Sequence, residues 1–202
     1  MSELKRTPLY ENHKELKARM VPFGGWEMPI QYKGVIAEHK AVRNEAGLFD
    51  VSHMGEFIIQ GKNAKAFLNK VTTNDVDKLY DGRLQYTLFC YENGTVVDDL
   101  IVARLNEDRY LAIVNASNID KDFAWLEKNA EPGVELINQS SDWALLAVQG
   151  IRSTAILVRL FGKEILTKYY HFEYFEYQNQ KLFVSRTGYT CLLYTSDAAD
   201  ES

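Results

Sequence analysis

Hydrophobic patterning is clearest from Glu56 onward. Residues 56–60 read as a strand, and 62–71 as a helix with Ala64, Phe67, Leu68 and Val71 on one face. Residues 84–91 and 95–105 form two strand patterns joined by Asn93-Gly94, the strongest short hairpin signal. A turn at 106–108 leads to a strand at 109–114. A capped helix at 117–129 carries Ile119, Phe123, Trp125 and Leu126, and one more strand covers 134–137. The order strand–helix–three strands–helix–strand predicts an α+β layer: an antiparallel sheet with two helices on one face.

The flanks are less regular. Residues 4–49 mix turn signals and short helical stretches. Gly24-Gly25 predicts a turn into an extended piece, and apolar residues at 35, 36, 42 and 46 predict a helix over 35–46 ended by Gly47. Past 138 come a buried-looking strand at 143–148, a helix at 151–161, and an aromatic hairpin of 169–177 with 181–186 across Gln178-Asn179-Gln180. No internal repeat is visible.

Composition narrows the function classes. At 46% hydrophobic, the 202-residue chain can bury a real core as one large or two small domains. The net charge of -5 lacks the basic surplus that phosphate neutralisation needs, which argues against nucleic acid. No apolar run reaches the ~20 residues that span a bilayer. The opening Met-Ser-Glu-Leu-Lys-Arg resembles neither a secretory signal nor a transit peptide, so a cytoplasmic protein is expected. Two cysteines, Cys90 and Cys191, make neither a disulfide framework nor a zinc site. The histidines at 13, 39, 53 and 171 have no ligand spacing, so no metal is expected, and no glycine-rich phosphate loop stands between a strand and a helix.

Among candidate chemical groups, Asp98-Asp99 comes first. Two carboxylates sit within Val96-Val97-Asp-Asp-Leu100-Ile101-Val102, and strand alternation sends them to opposite faces. At least one then meets a covered face, where burial raises a carboxyl pKa unless partners compensate. The alternative is an acidic pair on an exposed hairpin. Asp50-Val51-Ser52-His53-Met54 is the second candidate, but Ser52 has no nucleophile elbow, and His53 reads as a satisfied structural histidine. Tyrosines 86, 169, 170, 174, 177 and 189 suit the walls of a planar-ligand site, and they are also good sheet formers.

Several stretches together resemble the T protein of the glycine cleavage system. They are Arg6-Thr-Pro-Leu-Tyr10, Phe23-Gly-Gly-Trp-Glu-Met-Pro29, Gly47-Leu-Phe-Asp-Val-Ser-His-Met54 and Asn93-Gly-Thr-Val-Val-Asp-Asp-Leu-Ile-Val102. Val114-Asn-Ala-Ser-Asn-Ile-Asp-Lys-Asp122, Ala147-Val-Gln-Gly150 and Ser185-Arg-Thr-Gly-Tyr-Thr190 complete the set, in the family's order and roughly its spacing. The resemblance runs from Thr7 to Thr190, about half of a family member.

It implies an aminomethyltransferase that moves the aminomethyl group from the lipoylated H protein to tetrahydrofolate, giving methylenetetrahydrofolate and ammonia. It also implies that Asp99 is the essential aspartate, orienting the folate amine and stabilising developing cationic charge. Met54, Tyr86, Asn115, Tyr169 and Tyr189 match positions lining the folate pocket. The family fold implies a ferredoxin-like unit at 56–137. A discontinuous folate-binding unit would pack on it, starting at 1–55 and returning, incomplete, at 138–190. Two departures stand out: Gln149-Gly150 is followed by Ile151 where the family has proline, and Thr190 is not followed by Gly-Glu. The string at 191–202 reads as the translation of a sequencing adapter, so this tail is expected to be non-native. The family's C-terminal barrel domain and later folate contacts are then missing, and the chain as it stands is expected to be inactive. The rival readings are a folate-dependent demethylase of the sarcosine or dimethylglycine type and a non-catalytic folate-binding scaffold.

Overall fold

The computed structural model describes residues 3–165, 168–188, 190 and 192. Along the chain lie α1 (Tyr10–Glu15), β1 (Arg19–Phe23), β2 (Trp26–Gln31), α2 (Val35–Asn44), β3 (Gly47–Asp50), β4 (Gly55–Gln60) and α3 (Ala64–Val71). Then come β5 (Leu84–Cys90), β6 (Val96–Asn106), β7 (Arg109–Val114), α4 (Ile119–Asn129) and β8 (Glu135–Asn138). The last elements are β9 (Leu146–Gln149), α5 (Ser153–Phe161), β10 (Phe172–Tyr177) and β11 (Gln180–Ser185). The fold is α+β with antiparallel sheets. Residues 54–143 and 168–173 make one compact unit, and the described residues of 1–53, 144–167 and 174–202 make another. No helix among the described residues is long and apolar enough to cross a membrane.

The unit of 54–143 and 168–173 is built on a five-stranded sheet in the order β5-β6-β7-β4-β8, with antiparallel neighbours. Alternation turns Phe57 and Ile59 of β4, Leu100 and Val102 of β6, and Tyr110, Ala112 and Val114 of β7 to one face. The apolar stripes of α3 (Ala64, Phe67, Leu68, Val71) and α4 (Ile119, Leu126) close over it. Strand period and helix period thus meet in one core, in which Phe57, Phe67, Leu68 and Leu126 are wholly buried. The opposite face carries Glu56, Tyr86, Asp99, Ile101 and Ile113, and the register sets Tyr86, Ile101, Ile113 and Glu56 in one row across the strands.

Two details depart from simple alternation. The Asn93-Gly94 hairpin closes through Tyr91 N–H to Thr95 O at 2.8 Å, with Gly94 at φ +82° and Asn93 Oδ1 accepting from Thr95 N–H at 3.1 Å. The register then slips between Phe89, opposite Asp98, and Cys90, opposite Val96. That bulge leaves Val97 and Asp98 both buried although they are neighbours in sequence.

In the other unit β1 and β2 pair across Gly24 and Gly25, at φ +56° and +85°, and β3 pairs with β9. Two consecutive left-handed residues match the twist of a tight hairpin, which is why glycines serve there. Gln178 and Asn179 take the same left-handed geometry between β10 and β11, at φ +51° and +63°. The expected aromatic strand begins only at Phe172, since Tyr169 and Tyr170 form a turn with Tyr170 at φ +54°. The buried-looking strand expected at 143–148 is corrected: β9 starts at Leu146, which is exposed. α2 forms where expected but buries none of its residues.

Candidate functional site

The site grows out of the β6 Asp pair. Asp98 points to the helix-covered face and is buried; Asp99 points to the opposite face and is half-buried. Asn115 follows the last residue of β7, so its side chain reaches both. Its Nδ2 lies 3.0 Å from Asp98 Oδ1, from Asp99 Oδ1 and from the Asp99 carbonyl, three acceptors for two hydrogens. Its backbone N–H donates to Asp98 Oδ2 at 3.3 Å, and Asn118 Nδ2 donates to Asp98 Oδ1 at 2.7 Å. On the far side the exposed Tyr86 hydroxyl donates to Asp99 Oδ2 at 3.2 Å. Asp99 is therefore held from two directions with its carboxylate ready to accept more.

Burial opposes ionisation of Asp98, yet hydrogen bonds from Asp122, Asn115 and Asn118 outweigh it and hold its pKa below the ordinary value. Asp122, on α4, has no exposed surface. Burial, the hydrogen bond with Asp98 and that group's charge push its carboxyl up to about 8. No amide, hydroxyl or cation among the described residues bonds either Asp122 oxygen, and the nearest ammonium, Lys121 Nζ, is 3.9 Å away. A carboxyl group counted only as an acceptor looks unpaired here.

The other residues expected at a site fall as follows. Gly55 pairs with Val114, so the register sets Met54 alongside Asn115. Tyr169 belongs to segment 168–173, which runs along β5, with Leu84 N–H to Tyr170 O and Phe172 N–H to Gly82 O both 2.8 Å. Its carbonyl accepts from His171 Nδ1 at 2.8 Å, and its ring stands edge-on to Tyr170. Met54, Tyr86, Asp99, Asn115 and Tyr169 thus share one unit, and Tyr86, Asp99 and Asn115 bond directly. Tyr189 and the tail at 191–202, Leu192 apart, lie outside the described residues.

Gly55 explains the tight entry to this corner. A Cβ there would stand 2.6 Å from Ile119 Cγ1 and 2.7 Å from Val114 Cγ2, so only glycine lets β4 approach α4 so closely.

His53 is not the satisfied histidine its surroundings in sequence predict. Its buried Nδ1 lacks a partner, its ring packs edge-on to Phe23, and burial lowers its pKa. Ser52 is structural, exchanging hydrogen bonds with the backbone of Leu145. Asp50 instead anchors the N-terminal segment. It accepts from Thr7 Oγ1 at 2.6 Å, His13 Nε2 at 2.8 Å and Ser52 N–H at 2.9 Å, while the Tyr32 hydroxyl sits 2.8 Å from His13 Nδ1. Among the described residues no three His, Cys, Asp or Glu side chains gather as a metal ion requires.

Sequence reasoning missed Asn118, Asp122 and Glu56. The first two lie inside the conspicuous 114–122 motif, but acidic residues in a helix's first turn are ordinary there. Glu56 sits in an alternating strand pattern and is 2% exposed, with neither carboxylate oxygen partnered; burial pushes it up to about 8.

Comparison with known proteins identifies the family. Residues 9–193 match the GCVT N-terminal domain family. The chain is 51% identical over 192 residues to an aminomethyltransferase of Desulfitobacterium hafniense, covering 94% of this chain and 53% of that protein. It is 52% identical over 195 residues to one of Symbiobacterium thermophilum, covering 93% and 52%. The crystal structure of glycine cleavage system aminomethyltransferase T from Bartonella henselae superposes with a TM-score of 0.86 at 34% identity, over 98% of this chain and 56% of that one. Heterotetrameric sarcosine oxidase from Corynebacterium sp. U-96 shares the fold alone, at 15% identity and a TM-score of 0.51 over 76% of this chain and 78% of that one. The chain spans about half the length of the curated relatives it matches. It belongs to the GCVT N-terminal domain family.

Proposed function

We propose that the protein to which this chain belongs transfers the aminomethyl group from the lipoylated H protein of glycine cleavage to tetrahydrofolate. Ammonia is released and 5,10-methylenetetrahydrofolate forms. The observation that carries the reading is the Asp99 carboxylate, fixed by Asn115 and Tyr86 on the sheet face opposite the helices. An acceptor amine becomes cationic as it attacks, and a preoriented carboxylate stabilises that charge without reorganising. The donor set suits a reduced pterin: Asp99 accepts from N–H groups, and the exposed Tyr86 ring offers an apolar wall. Met54, Asn115, Tyr169 and Tyr189 complete the proposed folate contacts, with Asp99 as the catalytic residue.

The strand order supports two finer readings. Without β5, the sequence β8-β4-β7-β6 is the arrangement of a ferredoxin-like layer, so we take 56–137 as that layer with β5 added at its edge. Segments 1–55 and 138–190 then form the discontinuous folate-binding unit, with 191–202 a non-native tail. Cytoplasmic location is part of the same proposal.

The test is made on the protein carried to the length of its relatives. With aminomethyl-loaded H protein and tetrahydrofolate, methylenetetrahydrofolate and ammonia should appear together. Asp99→Asn should lower the rate by about 100-fold or more, the range for removing one charge-stabilising group. A folded Asp99→Asn protein at full rate would overturn the assignment. Turnover with sarcosine or dimethylglycine in place of the H protein would favour the demethylase reading.

A further inference from the structure

Asp122 is a buried carboxyl that the proposed chemistry does not use. It stands on α4, on the helix-covered side of the sheet, while Asp99 faces the other side. A short path of side chains nevertheless joins them. Lys121 Nζ lies 3.9 Å from Asp122 Oδ1 and 2.6 Å from the Val97 carbonyl, which sets the wholly buried Asp122 beside Asp98, and neither Asp122 oxygen has a hydrogen-bond donor. Asp98 receives the backbone N–H and Nδ2 of Asn115, and the same Nδ2 lies against Asp99, whose other oxygen holds Tyr86. Asn118 adds a second amide to Asp98.

We propose that Asp122 is a positioning residue for the Asp99 site: a carboxyl group that keeps its proton and donates it to Asp98, locking the Asn115 amide between the two β6 aspartates. The proposal rests on the reading of Asp99 as the folate-facing carboxylate.

Asp98 has four lone-pair directions, and three amide groups, the Asn115 backbone and the side chains of Asn115 and Asn118, fill three of them. Asp122 supplies the fourth, and it can do so only as an acid, because an ionised Asp122 has nothing to give. Two buried carboxylates facing one another cannot both be charged, and one proton shared between them removes the conflict. Which of the two keeps it is set by their neighbours. Asp98 has amide donors that favour its charged form. Asp122 has none, and its one nearby cation, Lys121, is exposed and donates to the Val97 carbonyl. The other ionisable groups around it are few. Asp99 on β6 adds negative charge from across the strand, and β8, which also packs on α4, offers only Glu135, exposed and bonded to Gln60. Removing the shared proton turns Asp98 away from a like charge. Asn115 then loses the partner that fixes it, and Asp99 loses its clamp on that side.

The test uses the isotopically labelled protein carried to the length of its relatives, with the Asn115 side-chain amide signals as reporter and tetrahydrofolate affinity as a second readout. In the unaltered chain those signals should move between pH 6.5 and 9 with a midpoint near 8. Asp122→Asn keeps a donor that never ionises. It should abolish the movement and leave affinity within about twofold of the unaltered chain at neutral pH. Asp122→Leu removes the donor, so it should displace the signals at every pH and weaken affinity about tenfold, the equivalent of one lost hydrogen bond to a charged group. Should Asp122→Leu not fold, Asp122→Asn decides alone: an unchanged titration in that variant overturns the proposal. So does an Asp122→Leu chain that binds and titrates like the unaltered one. If the amide titrates as described but tetrahydrofolate does not bind, the clamp stands and the folate reading fails.

Discussion

Glu56→Gln tests the energetic cost of the buried face of the sheet. Glu56 is 2% exposed with both oxygens unpartnered, and burial pushes its pKa from 4.5 up to about 8. The unfolded chain releases this proton above about pH 4.5, whereas the folded chain holds it to about 8. The folded state therefore binds more protons in that window, and its stability falls as pH rises. Each pH unit inside the window costs ~1.4 kcal/mol, so passing from pH 5 to pH 8 costs up to about 4 kcal/mol, with water penetration reducing the realised figure toward ~2 kcal/mol. Glutamine has nearly the same shape and cannot ionise. Its extra N–H donor, buried without a partner, adds a penalty of ~1–3 kcal/mol that does not depend on pH. The diagnostic is thus the slope: stability of Glu56→Gln minus that of the unaltered chain should rise by ~2–4 kcal/mol from pH 5 to pH 8 and level off above 8. Asp122 titrates in the same window with the same sign, but it is present in both proteins and cancels in the difference. Urea unfolding followed by circular dichroism at half-unit pH steps measures this. A difference flat to ~0.5 kcal/mol over the window would show that Glu56 is solvated or partnered, and the reasoning would be refuted.

Other consequences follow from the same contacts. Gly55→Ala drives a methyl group into Ile119 and Val114, and thermal or urea unfolding should show a loss of ~1–3 kcal/mol. Leu126→Ala opens a cavity beneath α4 and should cost ~2–5 kcal/mol by the same measurement. Burial opposes ionisation of Asp50, but hydrogen bonds from Ser52, Thr7 and His13 outweigh it and depress its pKa. Its contribution is therefore present above the unfolded pKa and lost as pH falls through the folded one. Asp50→Asn should destabilise near pH 7, and its deficit should shrink in acid below pH ~4, as urea midpoints at the two pH values would show. Asn115→Ala should loosen Asp99, lowering transfer rate about tenfold or more in the full-length protein, and unfolding should show a loss of ~1.5–3 kcal/mol because the buried Asp98 carboxylate loses an amide donor.

The order of elements around the five-stranded sheet was legible because its two periods do not conflict. Ala64, Phe67, Leu68 and Val71 recur at helical spacing, and all four are buried together. Phe57 and Ile59 recur at strand spacing and meet them. Where one side of an element is not buried, pattern loses its force. α2 has apolar residues at its start, but Val35 and Ile36 are exposed, so the helix rests largely on its own backbone hydrogen bonds. Glu38 supports its entry by accepting from the backbone N–H groups of Tyr32, Lys33 and Gly34, a local device that hydrophobic periodicity does not register. β9 was misread for the related reason that an aliphatic run of strand type can lie half-exposed at the edge of a two-stranded pair.

The candidate site was legible for a reason that differs from its construction. Alternation singles out Asp98-Asp99 because one of two adjacent carboxylates faces a covered side, and burial then selects Asp98. The group assigned to the chemistry, on family resemblance, is the other one. What makes Asp98 tolerable is not exposure but three long-range partners, Asn115, Asn118 and Asp122, all 17 or more residues away. Composition and spacing carry no trace of which amide will face which carboxylate, since that depends on where β7 ends and how the turn after it is set against β6. Alternation with Leu100 and Val102 turns Asp98 to the covered face and leaves Asp99 on the other, the bulge adds Val97 beside it, and the inner carboxylate then needs an acid on α4 to complete it. Asp122 therefore looked like an ordinary helix-capping charge in the sequence and becomes a buried proton donor only once the strand register is known.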